Sequence, residues 1–194
     1  MGRKSIDLLT ATDPAWASVV LADFGTFLTD HANCERKASA FALSLVAKFP
    51  NRTRIIPTLI GIAQEELEHF RLVYQLMEVR GLTVAADTPD PYVSRLLGCM
   101  RHGREQRFLD RLLVASLVEC RGAERFRIVS EISDEMALER FYHTLWASEV
   151  KHAHQYVDML LHYFDRETVY RRLTELAEQE AAIVRQLPLR SALH

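Results

Sequence analysis

Two four-residue stretches share one spacing, Glu66-Leu67-Glu68-His69 and Glu149-Val150-Lys151-His152. Each is Glu-x-x-His. On an α-helix, residues three apart lie on one face, so each pair aims a carboxylate oxygen and an imidazole nitrogen at one point, which is a metal-ligand geometry. Taken singly, either pair reads first as a surface salt bridge. What changes that reading is a further glutamate ahead of each: Glu35 lies 31 positions before Glu66, and Glu119 lies 30 before Glu149. The offsets from Glu35 to Glu119 (84), Glu66 to Glu149 (83) and His69 to His152 (83) describe one helix pair used twice. A four-helix bundle made of two such pairs turns four carboxylates and two imidazoles inward, with Glu35, Glu66, His69, Glu119, Glu149 and His152 as ligands of a carboxylate-bridged dinuclear site.

The helical stripes through these residues are apolar. The first reads Leu28, His31, Glu35, Ala38, Ala42, Leu45, and the second Leu59, Ile62, Glu66, His69, Val73, Leu76. The third reads Leu112, Ala115, Glu119, Ala123, Phe126, and the fourth Leu138, Tyr142, Leu145, Glu149, His152, Tyr156, Met159. Glutamates set among such neighbours do not stay ionised without a cation, and two divalent ions neutralise four of them. A carboxylate-rich set without thiolates favours iron or manganese over zinc, with iron first. By helical spacing Glu65, Glu68 and Glu124 point away from these faces and read as solvated or salt-bridged. His31, one turn before Glu35, reads first as a core histidine and second as a hydrogen-bond partner of the ligand set. Phe126, Tyr142 and Tyr156 read as core rather than as the wall of a cavity.

The elements that must carry these faces are helices, since apolar residues recur at three- and four-residue intervals with almost no strand-like alternation. A first stretch starts at Asp13-Pro14, an N-cap followed by proline, and runs to about Phe49, with Gly25 as the expected division. A second spans about Ile55 to Arg80, with Pro57 in its first turn and Gly81 as its C-terminal cap. Leu82 to Pro91 suits a crossover connection, with a short helix after it. A third stretch covers about Glu105 to Glu131 and a fourth about Ser133 to Phe164, with Ser133-Asp134-Glu135 expected to supply the capping chemistry. Glu167 to Leu187 is a final amphipathic helix. The expectation is an all-α single domain over 1–194, with a bundle core at about 13–164, a C-terminal helix at about 167–187, a crossover connection and flanking helices.

Composition narrows the function classes. The chain has 194 residues, 48% hydrophobic and 26% charged, enough to bury a core without metal or disulfide support, so a metal here has a functional purpose. A net charge of −2 excludes nucleic-acid binding through the overall field and leaves only a local basic patch. Cys34, Cys99 and Cys120 form no Cys-x-x-Cys pair, which removes cysteine zinc knuckles and thioredoxin-like chemistry, and an odd count suits a reducing compartment. Met1 to Thr10 lacks the apolar core of a signal peptide, and no stretch approaches the roughly 20 apolar residues of a membrane span. The expected location is the cytoplasm, with no membrane association.

With Glu35, Glu66-x-x-His69, Glu119 and Glu149-x-x-His152 on long inward faces, the chain resembles the ferritin-like di-iron carboxylate proteins. The wording around the ligands, His31-Ala32-Asn33-Cys34-Glu35-Arg36-Lys37-Ala38 and Ser148-Glu149-Val150-Lys151-His152, resembles the tRNA 2-methylthio-N6-isopentenyladenosine hydroxylase family, known as MiaE. The resemblance runs from about Leu8 to Leu187. It departs at Glu119-Cys120-Arg121-Gly122-Ala123-Glu124-Arg125, which leaves Glu124 as an alternative to Glu119, although spacing favours Glu119. The resemblance implies a ferritin-like fold and a di-iron monooxygenase that uses O2 to hydroxylate the isopentenyl group of a methylthiolated adenosine beside the anticodon of tRNA. Its electrons come from an external reductase or ferredoxin, since the chain carries no flavin, nicotinamide or iron–sulfur signature.

For the tRNA, Arg101, Arg104, Arg107 and Arg111 are expected within about 120° of one helical face, with Glu105 and Asp110 pointing elsewhere, as a phosphate-tracking stripe. The alternative is a solvated face paired with neighbouring acids. Lys48, Arg52 and Arg54 form a second candidate. The same six ligands also suit a ferroxidase or iron-storage protein, or a di-manganese catalase. Storage requires a hollow oligomer, and the chain offers no second acidic cluster to nucleate iron. A helical interaction module with incidental glutamates is the non-enzymatic rival, disfavoured by the burial argument.

Overall fold

A computed structural model describes residues 6–194, and every regular element among them is helical. The long helices are α2 (Phe24–Lys48), α3 (Ile56–Val79), α5 (Arg104–Ile132), α6 (Met136–Leu160) and α7 (Arg166–Gln186); α1 (Ala15–Ala22) and α4 (Pro91–Gly98) are short. A single 3-10 turn, Thr53–Ile55, leads into α3. The all-helical class read from the spacing is therefore the class observed.

Most helix ends fall where local chemistry puts them. Asp13 Oδ1 accepts the Ala15 N–H at 2.8 Å and opens α1. Pro57 sits in the first turn of α3, where a missing N–H leaves no intrahelical bond unmade. At the other end Gly81 takes φ +66°, its N–H bonds the Glu78 carbonyl at 3.0 Å, and the Leu82 N–H bonds the Met77 carbonyl at 2.9 Å. These paired bonds close orphan carbonyls, and the left-handed backbone they need is one that glycine adopts without strain.

Two expected boundaries move. The first stretch divides at Asp23, with φ −144° and ψ 65°, whose carboxylate accepts the Thr26 N–H at 3.1 Å; Gly25 lies inside α2. Aspartate wins because it offers the new helix a capping oxygen and glycine offers none. The expected fourth helix shortens at both ends. Ser133 and Glu135 are both extended, and Glu135 makes no side-chain cap bond, so α6 begins only at Met136. After Leu160 the chain turns into the Asp165 cap of α7, which accepts from the Thr168 N–H at 2.8 Å.

The chain forms two compact units. One contains Ser18–Thr88 and Leu189–Leu193. Its body is the antiparallel hairpin of α2 and α3, pinned at mid-length where Ser39 Oγ donates to the Ala63 carbonyl at 2.8 Å. Phe27, Leu28, Leu45, Leu59, Ile62, Val73 and Met77 are fully buried. The crossover segment lies on α2 through Asn33 to the Ala85 carbonyl and Lys37 to Asp87, at 3.3 and 2.9 Å.

The other unit contains the described part of Met1–Ala17, Pro89–Pro188 and His194. Here α5 and α6 form the antiparallel hairpin, held by Ser116 Oγ to the Ala153 carbonyl at 2.9 Å and Ser130 Oγ to the Glu139 carbonyl at 3.0 Å. Fully buried Arg121 on α5 binds Glu180 of α7 through Nε (2.9 Å) and Nη2 (3.1 Å), and reaches Thr12 Oγ1 at 3.2 Å and the Thr10 carbonyl at 2.8 Å. The Tyr92 hydroxyl of α4 completes the cluster by donating to Glu180 at 3.1 Å. Such a network is tolerable in the interior because each charge meets an opposite one with its hydrogen bonds made.

Candidate metal centre

In the α2/α3 unit, Glu35, Glu66 and His69 offer ligand atoms that lie within 4.8 Å of one another, and all three side chains are buried. His69 Nδ1 is 3.5 Å from Glu35 Oε2 and 3.6 Å from Glu66 Oε2. The three-residue step along α3 brings Glu66 and His69 to one face, and the antiparallel pairing brings Glu35 of α2 opposite them. The other oxygen of Glu35, Oε1, lies 2.6 Å from Nε2 of His31, one helical turn earlier and wholly buried. Burial alone raises the Glu35 carboxyl, but hydrogen bonds from His31 and His69, with the His31 charge behind them, outweigh it and hold the group well below the usual carboxylate range.

The α5/α6 unit repeats the construction. Glu119, Glu149 and His152 are buried, with ligand atoms within 4.8 Å of one another, and His152 Nδ1 is 3.9 Å from Glu149 Oε2. Each unit thus holds two carboxylates and one imidazole. Two ligand atoms each about 2.1 Å from one ion stand about 3 to 4 Å apart, so separations of 3.5, 3.6 and 3.9 Å fit a first-row metal. Oxygen and nitrogen donors in this ratio suit iron or manganese. No thiolate competes for the metal. The three cysteines are free thiols, and burial, followed by the neighbouring Glu119 charge, pushes Cys120 up to about 12.

The alternative ligand Glu124 is placed elsewhere. It pairs with Arg121 and accepts from the Thr12 N–H at 3.0 Å and the Thr12 hydroxyl at 2.6 Å, so its carboxylate belongs to the Arg121 network. Glu68 is half exposed and bound by Arg71 at 2.7 Å, as its outward position implied. Phe126, Tyr142 and Tyr156 are fully buried, and the first two rings pack 5.6 Å apart, which makes them core.

The arginine stripe needs correction at one end. Arg101 lies before α5, in a loop that enters the helix through Gly103 at φ +99°, so helical spacing does not apply to it. Its guanidinium is bound to Asp110, with Nη2 to Oδ1 at 2.7 Å and Nε to Oδ2 at 3.1 Å. Asp110, expected to point elsewhere, is itself fully buried and also holds Arg172 of α7 at 3.0 and 2.9 Å. Arg104 and Arg107 remain exposed on the first turns of α5, and Arg111 is half-buried. Lys48 and Arg54 are exposed and Arg52 is half-buried. The Asp110 and Arg121 clusters escaped the sequence reading because a buried arginine and a surface arginine look alike until the elements around them are placed.

A family described as tRNA-(MS[2]IO[6]A)-hydroxylase (MiaE) matches residues 3–194. The chain belongs to the MiaE family. MiaE proteins are enzymes that act on tRNA, and two relatives are named tRNA 2-(methylsulfanyl)-N(6)-isopentenyladenosine(37) hydroxylase. The one from Pseudomonas putida is 37% identical over 171 residues, covering 87% of this chain and 83% of that protein. The one from Salmonella typhimurium is 24% identical over 204 residues, covering 81% and 75%. Among solved structures, protein 43 with aldehyde deformylating oxygenase activity from Synechococcus superposes with a TM-score of 0.91 at 32% identity, over 96% of this chain and 94% of that one. This MiaE chain is thus a ferritin-like helical protein and a hydroxylase, as its ligand spacing and the wording around it implied. No described helix is long and apolar enough to cross a membrane.

Proposed function

We propose that Glu35, Glu66, His69, Glu119, Glu149 and His152 together hold two iron ions, as one ferritin-like domain, and that the centre hydroxylates the isopentenyl group of 2-methylthio-N6-isopentenyladenosine beside the anticodon in tRNA. The observation that carries this reading is the duplicated triad of two glutamates and a histidine in a chain of the MiaE family. Bound iron supplies the activation of O2: two external electrons and two protons accompany insertion of one oxygen atom into a terminal C–H bond, and the other atom leaves as water.

The protein's own residues do the rest. Four glutamates offset the charge of two divalent ions, and His69 and His152 complete the set as neutral donors. Leu28, Leu59, Ile62 and Val73, on the helices that carry one triad, and Leu112, Phe126 and Leu145, on those that carry the other, are buried and apolar, which serves to keep water from the reacting carbon. Arg104 and Arg107, with Arg111 behind them, serve the phosphates of the tRNA. Electrons come from a separate reductase or ferredoxin, and the reaction belongs to the cytoplasm, where tRNA is modified.

The test is Mössbauer spectroscopy on protein reconstituted with iron-57, then reduction and exposure to O2 with prenylated, methylthiolated tRNA whose nucleosides are read by mass. The expected result is a coupled diferric pair and a gain of one oxygen on the isopentenyl group. A coupled pair that yields no product with an artificial electron donor moves the function to ferroxidase chemistry. Peroxide turnover by a manganese-loaded pair moves it to catalase chemistry.

A further inference from the structure

The outward side of α3 carries a repeat that the metal centre leaves unused. Ile60, Gln64, Leu67, Arg71, Tyr74 and Glu78 follow one another at alternating steps of four and three, and all six are exposed. Steps of this kind keep to one side of a helix and form a straight seam, the pattern by which two helices pack along their length. Every second place in the seam is large and apolar: Ile60 is 43% exposed, Leu67 57% and Tyr74 39%. Single apolar residues scattered on a surface are ordinary, whereas three aligned over about four turns of one helix are an unburied stripe. On α6 the same pattern is broken. The 83-residue offset that takes Glu66 to Glu149 also takes Leu67 to Val150 and Tyr74 to Val157, and Val157 is buried.

The seam reads alike in both directions about Leu67. Ile60 and Tyr74 lie seven residues to either side of it, and Gln64 and Arg71 lie three before and four after. A two-fold contact needs this symmetry, since it sets each residue i against a residue j of the other copy and that copy's i against j, while a surface for an unlike partner has no use for it. We propose that the outer face of α3 is the contact between two copies of this chain, packed antiparallel about a two-fold axis at Leu67. Leu67 then meets Leu67 of the second copy, and Ile60 meets its Tyr74. Arg71 keeps Glu68 of its own helix and has donors left for the side-chain carbonyl of the second copy's Gln64. Glu78 ends over the turn that carries the exposed, oppositely charged Arg54 of the second copy. A parallel pair in register sets Arg71 against Arg71 and Glu78 against Glu78, and that repulsion selects the antiparallel one. Three apolar layers make an interface at the small end of specific contacts, about 1,200 Å², so monomer and dimer exchange at micromolar concentration.

The test is sedimentation velocity on the iron-loaded protein from about 1 to about 200 μM. The wild type is expected to pass from one chain mass to two across this range. Leu67→Glu, which sets two carboxylates against each other on the axis, is expected to stay at one chain mass throughout, an affinity loss of at least about 100-fold. Val150→Glu makes the same change at the corresponding exposed place on α6 and is expected to associate as the wild type does. Circular dichroism and iron content check that each variant is folded and loaded. A second measurement fixes the register without a new charge: under mild oxidation Leu67→Cys is expected to cross-link to itself, and Ile60→Cys to cross-link when mixed with Tyr74→Cys but not alone. Wild-type protein, with Cys34, Cys99 and Cys120, sets the background.

A wild type that stays at one chain mass at every concentration overturns the proposal, and so does a dimer that Leu67→Glu leaves intact. Ile60→Cys that cross-links to itself as readily as to Tyr74→Cys overturns the antiparallel contact. A monomeric wild type whose reductase-dependent turnover falls in Leu67→Glu overturns it too, and gives the stripe to the electron donor instead of a second copy.

Discussion

Glu66 is completely buried on α3 beside His69, with Glu35 across the hairpin, so two carboxylates and one imidazole occupy one small apolar space. That arrangement is costly until a cation arrives, because both acids lose hydration. Glu66→Gln keeps the shape and removes one charge. The metal-free variant should therefore be as stable as the wild type or more so, by about 1 kcal/mol in urea unfolding, while losing hydroxylation to background. Added iron(II) or cobalt(II) should raise the urea midpoint of the wild type and leave the variant unmoved. A variant that gains as much as the wild type from metal removes Glu66 from the ligand set. The buried clustering of these glutamates and histidines was legible because the two residue types three apart on an apolar stripe have few other uses. The choice between Glu119 and Glu124 turned on Arg121, whose burial against Glu180 and Glu124 depends on α7 and on residues 10–12, far away in sequence. His31 shows the same limit: its spacing to Glu35 was visible, but a core histidine and a hydrogen-bond partner of Glu35 share that spacing, and only the 2.6 Å contact separates them.

Most helix ends fell close to expectation, and those that moved are the division at Asp23 rather than Gly25 and the two ends of α6. Pro57, Gly81 and Asp13 act through their own backbone or a neighbouring N–H, and those ends fell within a residue or two of expectation. The start of α5, expected at about Glu105 and observed at Arg104, also leans on Asp110, which reaches back from the second turn of the helix to the Arg101 backbone N–H at 2.8 Å and to its guanidinium, while also holding Arg172 of α7. Burial pushes the Asp110 carboxyl up, but the hydrogen bonds from Arg101 and Arg172 outweigh it and leave the group below its ordinary value. A carboxyl lowered by folding stabilises the protein at pH values above the unfolded value of about 3.9, and that contribution is lost as pH falls through the folded value. Asp110→Asn should therefore cost about 1 to 2 kcal/mol at neutral pH, since it removes the charge shared by Arg101 and Arg172, while Arg172 keeps Glu175 and the Cys99 carbonyl and Arg101 keeps access to water. It should also flatten the acid limb of a plot of urea-unfolding free energy between pH 2 and 6. Wild-type and variant curves that run parallel through that range would show that Asp110 is not the group responsible.

A polyanion does not approach a protein of net charge −2 by its overall field, so tRNA affinity has to come from a few local cations. With Arg101 committed to Asp110, the exposed members of the stripe are Arg104 and Arg107; the charge of Arg111 is disfavoured first by burial and then by Arg107. Two phosphate contacts carry a definite salt signature, because each displaced counterion adds somewhat less than one unit to the slope of log affinity against log salt. Arg104→Glu with Arg107→Glu should weaken tRNA binding by on the order of tenfold and reduce that slope by about 1.5. Metal content and the urea midpoint should not change. A second double variant, Arg140→Glu with Arg171→Glu, shifts net charge by the same amount at other exposed sites, and its tRNA affinity should stay near that of the wild type. If both double variants lose affinity alike, the molecule responds to its total charge and the α5 arginines hold no special place. If only the first does, the start of α5 is where the anticodon arm is held, and the loop clamped by Asp110 sets the position of that surface.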